Sequence, residues 1–109
     1  MAKGDVTPLI FTTETDPVTG VRVMRLTPRD RIFHRNYFYQ KCFLQGGTRL
    51  LIGGVAQGNW NYWLLDLAQS TLRQLTEGAG DNSFDGFITD DDSALIFMRH
   101  NRQIVRVEL

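Results

Sequence analysis

At 109 residues the chain holds at most one small domain, and 42% hydrophobic with 22% charged residues excludes global disorder. A formal net charge of zero argues against a general nucleic-acid binder or a membrane-surface protein. The single cysteine, Cys42, excludes an intrachain disulfide framework, and its place between Lys41 and Phe43 in an apolar run reads as a buried, inert thiol.

The opening Met-Ala-Lys-Gly-Asp has no apolar leader core, and no run approaches the ~18 apolar residues of a membrane span, so a cytoplasmic protein is expected. Sustained i, i+3, i+4 apolar spacing is absent, and short apolar or alternating runs bounded by turn residues predict an all-β chain. The first predicted strand is Val21–Thr27. It is followed by a dense polar-aromatic segment, Phe33-His34-Arg35-Asn36-Tyr37-Phe38-Tyr39-Gln40-Lys41. Further strands are predicted at Tyr39–Leu44, Arg49–Val55, Asn61–Asp66, Thr71–Thr76, Gly86–Thr89, Leu95–Met98 and Gln103–Val107. The connectors are those that tight reversals favour: Gln45-Gly46-Gly47-Thr48, Ala56-Gln57-Gly58-Asn59, Ala68-Gln69-Ser70 and Asp90-Asp91-Asp92-Ser93.

These strands repeat. Trp60–Leu67 aligns with Arg102–Leu109 at an offset of about 42 residues, and Phe43-Leu44, a turn and Leu50-Leu51-Ile52 align with Phe87-Ile88, a turn and Leu95-Ile96-Phe97. Four strands per unit of that length mark β-propeller blades. The expected layout is an N-terminal segment over 1–38 with a D-type strand at 21–27, a first four-stranded blade over 39–76, and an incomplete second blade over 83–109. Blades taken alone bury neither face, so unpaired edges and an apolar blade face are expected, with self-association through them.

Chemistry would come from the connections between blades. The first is the 33–41 segment; the second is Glu77-Gly78-Ala79-Gly80-Asp81-Asn82-Ser83-Phe84-Asp85. Their His, Arg, Asn and Asp side chains suit a polar, anionic ligand, and Tyr37 and Tyr39 offer a stacking face for a sugar ring. The competing reading is that the aromatic residues pack the blade while His34 and Asn36 tie the loop by hydrogen bonds. Ten arginines stand against two lysines, and the guanidinium fork of Arg29, Arg31 or Arg35 suits a carboxylate, although plain surface arginines are the simpler account. His100 lies in a turn between two strands and is expected on the face opposite His34, which excludes a shared metal or acid–base site. Asp90-Asp91-Asp92 lacks the glycine and distal glutamate of a calcium loop. No nucleophile elbow, P-loop or dinucleotide fingerprint occurs, so no catalytic or metal-binding residue is assigned.

The block His34-Arg35-Asn36-Tyr37-Phe38-Tyr39-Gln40-Lys41, with Trp60-Asn61-Tyr62, Leu65-Asp66-Leu67, Gln74-Leu75-Thr76-Glu77-Gly78 and Gly80-Asp81-Asn82, resembles the N-terminus of the oligogalacturonate lyases. The resemblance implies a cytoplasmic, seven-bladed propeller enzyme of pectin breakdown that cleaves short oligogalacturonates by β-elimination. It further implies a divalent metal, typically manganese, and a histidine base, both supplied by later blades, so the chain alone is expected to be inactive. His34, Arg35, Asn36, Tyr37 and Tyr39 would then line the channel mouth as substrate-binding candidates, with Arg35 pairing a uronate carboxylate. The alternative is a non-catalytic propeller fragment acting as a ligand-binding or interaction module.

Overall fold

The computed structural model describes residues 2–35, 40–82 and 84–109. Among them there is no helix, only strands: β1 (Val6–Pro8), β2 (Thr12–Thr15), β3 (Arg22–Arg25), β4 (Phe33–Arg35), β5 (Arg49–Ala56), β6 (Asn59–Asp66), β7 (Thr71–Gln74), β8 (Phe87–Ile88), β9 (Ala94–Arg99) and β10 (Gln103–Glu108). They form antiparallel sheets of five, three and two strands, in the orders β1-β7-β6-β5-β4, β10-β9-β8 and β2-β3. With no described helix, there is none long and apolar enough to cross a membrane.

The five-stranded sheet is the first blade. Its central strands β5 and β6 are apolar on both faces because both faces are covered. Leu51 pairs with Leu64 and Ile52 with Trp63, and successive residues of a strand point to opposite sides. Leu51, Tyr62 and Leu64 therefore join Leu75, Ile88, Leu95 and Phe97 in a core against the second blade. Ile52, Trp63, Leu65 and Leu72 form a second core with Leu9, flanked by Phe11 and Leu26. The N-terminal segment thus covers the face of the first blade that was expected to stand open. The second blade does leave apolar surface: Ile104 is 79% exposed and Phe87 38%.

Three strands depart from the sequence expectation. The expected lone strand over 21–27 is half of a hairpin, Arg22–Arg25 pairing Thr12–Thr15. The partner, Thr-Thr-Glu-Thr, carries no apolar alternation and so gave no signal. Its turn is closed by Asp16, whose Oδ1 accepts the Val18 and Thr19 amides at 2.8 and 3.0 Å. β1 is a fifth strand outside β7, with Val6 opposite Arg73; Pro8 at its end is tolerated because this is a sheet edge.

The third departure concerns the innermost strand, expected as one run over Tyr39–Leu44. Tyr39 lies outside the described residues, and the pairing along β5 comes in two pieces. Phe33, His34 and Arg35 pair with Gly54, Gly53 and Ile52, and the ladder resumes at Phe43 opposite Leu50. β5 advances two residues between Ile52 and Leu50 while the other side spends eight between Arg35 and Phe43. The Gly53-Gly54 pair explains why β4 lies here: a Cβ on Gly53 would strike the His34 ring, and one on Gly54 the Phe33 ring.

Candidate functional site

In a four-stranded antiparallel meander each strand reverses direction, so the turn between the second and third strands shares an end with the connection leaving the fourth. His100 shows the consequence. It occupies a left-handed turn (φ 52°) between β9 and β10, its amide donates to the Gly80 carbonyl at 3.2 Å, and its ring leaves no room for a Cβ on Gly80. His34 meets the same 77–85 connection through Phe84, ring centroids 4.5 Å apart. The two histidines therefore stand at one end of the blades, not on opposite faces as expected. Among the described residues no three His, Cys, Asp or Glu side chains gather where they could hold a metal ion.

The 77–85 connection is pinned by a buried polar network. Asn82 Nδ2 donates to the Asn61 carbonyl at 2.9 Å, and Asn82 Oδ1 accepts the Phe84 amide at 2.9 Å. Thr76 Oγ1 donates to Asn61 Oδ1 at 2.8 Å and accepts the Tyr62 amide at 3.0 Å. Asp81 accepts the Gly78 amide at 2.9 Å and holds Arg99, Nε to Oδ1 2.6 Å, with the carboxylate side chain only 3% exposed. Arg99 is thereby neutralised rather than offered to a ligand.

Tyr62 Oη accepts the Gly86 amide at 2.7 Å, and burial raises the phenol pKa above its ordinary range. The neutral phenol is the form the fold favours. Its stabilisation is whole below the unfolded value of about 10 and is lost as pH climbs above it, because the unfolded chain then releases a proton the folded chain keeps. Tyr62 is expected to be silent in a tyrosinate absorbance titration until unfolding, and Tyr62→Phe to remove one late-titrating phenol.

Of the sequence-predicted site residues, Asn36, Tyr37 and Tyr39 lie outside the described residues. His34 and Arg35 are adjacent in β4 and so point to opposite sides. His34 is half-buried, with Trp60 5.2 Å away across the cluster, whereas Arg35 is exposed. Among the described residues Arg35 has no carboxylate partner. Lys41 was not singled out, yet it ties the two blades together. Its Nζ donates to the Thr89 and Asp90 carbonyls at 3.0 and 3.3 Å and to Asp92 Oδ1 at 2.9 Å. Asp92 Oδ2 also accepts the Gln45 amide at 2.7 Å. Asp91 serves its own turn: hydrogen bonds from Ser93 and then Thr89 hold its carboxyl down to about 2. The triple-aspartate run is a hairpin clasp.

Two antiparallel blades packed face to face, with the β9–β10 turn and the 77–85 connection at one end, define a piece of a β-propeller. The profile of the oligogalacturonate lyase family matches residues 1–109, and the chain belongs to that family. It is 53% identical over its whole length to the oligogalacturonide lyase of Pectobacterium atrosepticum and 54% to the oligogalacturonate lyase of Dickeya dadantii, in each case spanning 28% of the relative. Over 99% of this chain and 29% of theirs, it superposes on two solved structures with a TM-score of 0.93. One is an oligogalacturonate lyase in complex with manganese, 54% identical, and the other an oligogalacturonate lyase from Vibrio parahaemolyticus, 52% identical.

Proposed function

We propose that this chain is the N-terminal part of a cytoplasmic, seven-bladed lyase that cleaves short oligogalacturonates by metal-assisted β-elimination. The five-stranded sheet supplies its first blade and the three-stranded sheet part of the second. The observation that carries the proposal is the family match across all 109 residues at 53% identity. The described residues do not fit a manganese site, so no step of the reaction is routed through a metal on this chain, and the metal and the base are assigned to the remaining length. When bound there, the metal would neutralise the substrate carboxylate and acidify the C5 proton.

The chain's own contribution is recognition of an anionic sugar. Arg35 is the residue assigned to it: an exposed guanidinium with no carboxylate of its own among the described residues, presented at the edge of the innermost strand. A guanidinium–carboxylate pair is a charge-assisted contact worth roughly 1.5–3 kcal/mol. In the full-length enzyme Arg35→Ala should therefore raise KM for a short oligogalacturonate about 10- to 100-fold, with kcat changed far less. An unchanged KM would remove Arg35 from the substrate site.

A further inference from the structure

We propose that His34 is a positioning residue for Arg35: its imidazole, seated on Gly53 in one three-ring cluster with Trp60 and Phe84, holds the backbone from which the exposed Arg35 side chain extends. This rests on the reading of Arg35 as the uronate-binding residue and adds the means by which it is held.

The ring is fixed on several sides. Phe84 lies 4.5 Å away at an interplanar angle of 35°, and Trp60 lies 5.2 Å away at 58°. Beneath the ring is Gly53, where a Cβ would clash with it, and Asn82 Nδ2 closes the same spot. Nδ1 sits 2.7 Å from the Arg35 carbonyl oxygen. A carbonyl only accepts, so Nδ1 carries the proton and the imidazole's donor is committed to the backbone of the next residue. Among the described residues Nε2 is shut off from solvent and has no hydrogen-bond partner. A nitrogen with no path to substrate neither takes a proton from it nor ligates a metal, which leaves holding the backbone as the task of the polar ring. Arg35 is the last residue of β4, opposite Ile52. A tether on its carbonyl fixes the peptide plane beside the Cα that carries the guanidinium.

The test is a double-mutant cycle in the full-length enzyme with a short oligogalacturonate as probe, melting temperature being read on every variant. His34→Leu should raise KM about tenfold with kcat within about threefold, the effect of one lost polar tether on a bound charge. His34→Asn keeps an N–H within reach of the same carbonyl and should restore most of the affinity. The double variant His34→Leu/Arg35→Ala should bind no more weakly than Arg35→Ala alone, because His34 acts only through Arg35. Should His34→Leu fail to fold, Phe84→Leu loosens the seat while leaving both residues in place, and should raise KM in the same sense. Independent, multiplying effects of the two substitutions would overturn the positioning role while leaving Arg35 in the site. A lowered melting temperature with KM unchanged would overturn it in favour of a purely structural histidine. An Arg35→Ala variant with wild-type KM would sink the underlying reading instead.

Discussion

Trp63→Ala is expected to destabilise the first blade by about 3–5 kcal/mol, the range for truncating a large buried aromatic side chain. Trp63 is 0% exposed and sits at the junction of the blade with the N-terminal segment, in one core with Leu9, Ile52, Leu65 and Leu72. Its ring meets Phe33 edge-on, centroids 5.8 Å apart at 78°, and the Arg31 guanidinium lies 4.9 Å over it. Its Nε1 donates to the Gly54 carbonyl at 3.4 Å. The Ala variant loses the buried area and both ring contacts and leaves a void between strands that pair in fixed register, where collapse is restricted. Trp63→Phe keeps a ring in contact with Phe33 and should cost less than half as much. Urea unfolding followed by circular dichroism measures both. A loss under about 1 kcal/mol for the Ala variant would mean that the N-terminal segment moves in to fill the space and does not form a fixed face of the blade.

What was legible in the sequence was whatever shows as an apolar or alternating run bounded by turn residues. β5, β6, β9 and β10 were found nearly to their ends because each carries apolar residues that must meet a partner across a sheet. β1 and β2 were missed for the converse reason: Val-Thr-Pro is too short, and Thr-Thr-Glu-Thr is polar on both faces, so their pairing comes from neighbours rather than from their own pattern. The broken inner strand was illegible because Phe33-His34-Arg35 looks like loop chemistry until the glycine pair opposite it is seen as a seat for two rings. The site followed the same division. Arg35 was a candidate from its residue type together with its position in the 33–41 segment. His34 could be named but not given its role, since that depends on Trp60, Asn82 and Phe84 reaching it from remote positions. The misplacement of His100 was an error of topology: strand directions in a meander put it beside the 77–85 connection.

Thr76→Val should cost about 2–6 kcal/mol although it removes only a hydroxyl and keeps the shape of the side chain. Thr76 is 2% exposed, and its Oγ1 is the common point of two buried bonds, donating to Asn61 Oδ1 and accepting from the Tyr62 amide. Valine satisfies neither, so an amide N–H and a carboxamide oxygen are left in a dry interior at roughly 1–3 kcal/mol each. The damage extends beyond the residue, because the Asn61 carbonyl holds Asn82 and Asn82 in turn holds the Phe84 amide. Phe84 is one wall of the His34 seat, so a loosened Thr76 network should reach Arg35 as a raised KM in the full-length enzyme. Thr76→Ser restores the oxygen and should recover most of both losses. If Val and Ser variants prove equally stable by urea unfolding, an admitted water molecule has taken the place of the hydroxyl, and the network does not depend on Thr76. If the Val variant is destabilised but its KM is unchanged, the network supports the blade alone and the proposed link from Thr76 through Phe84 to Arg35 is broken.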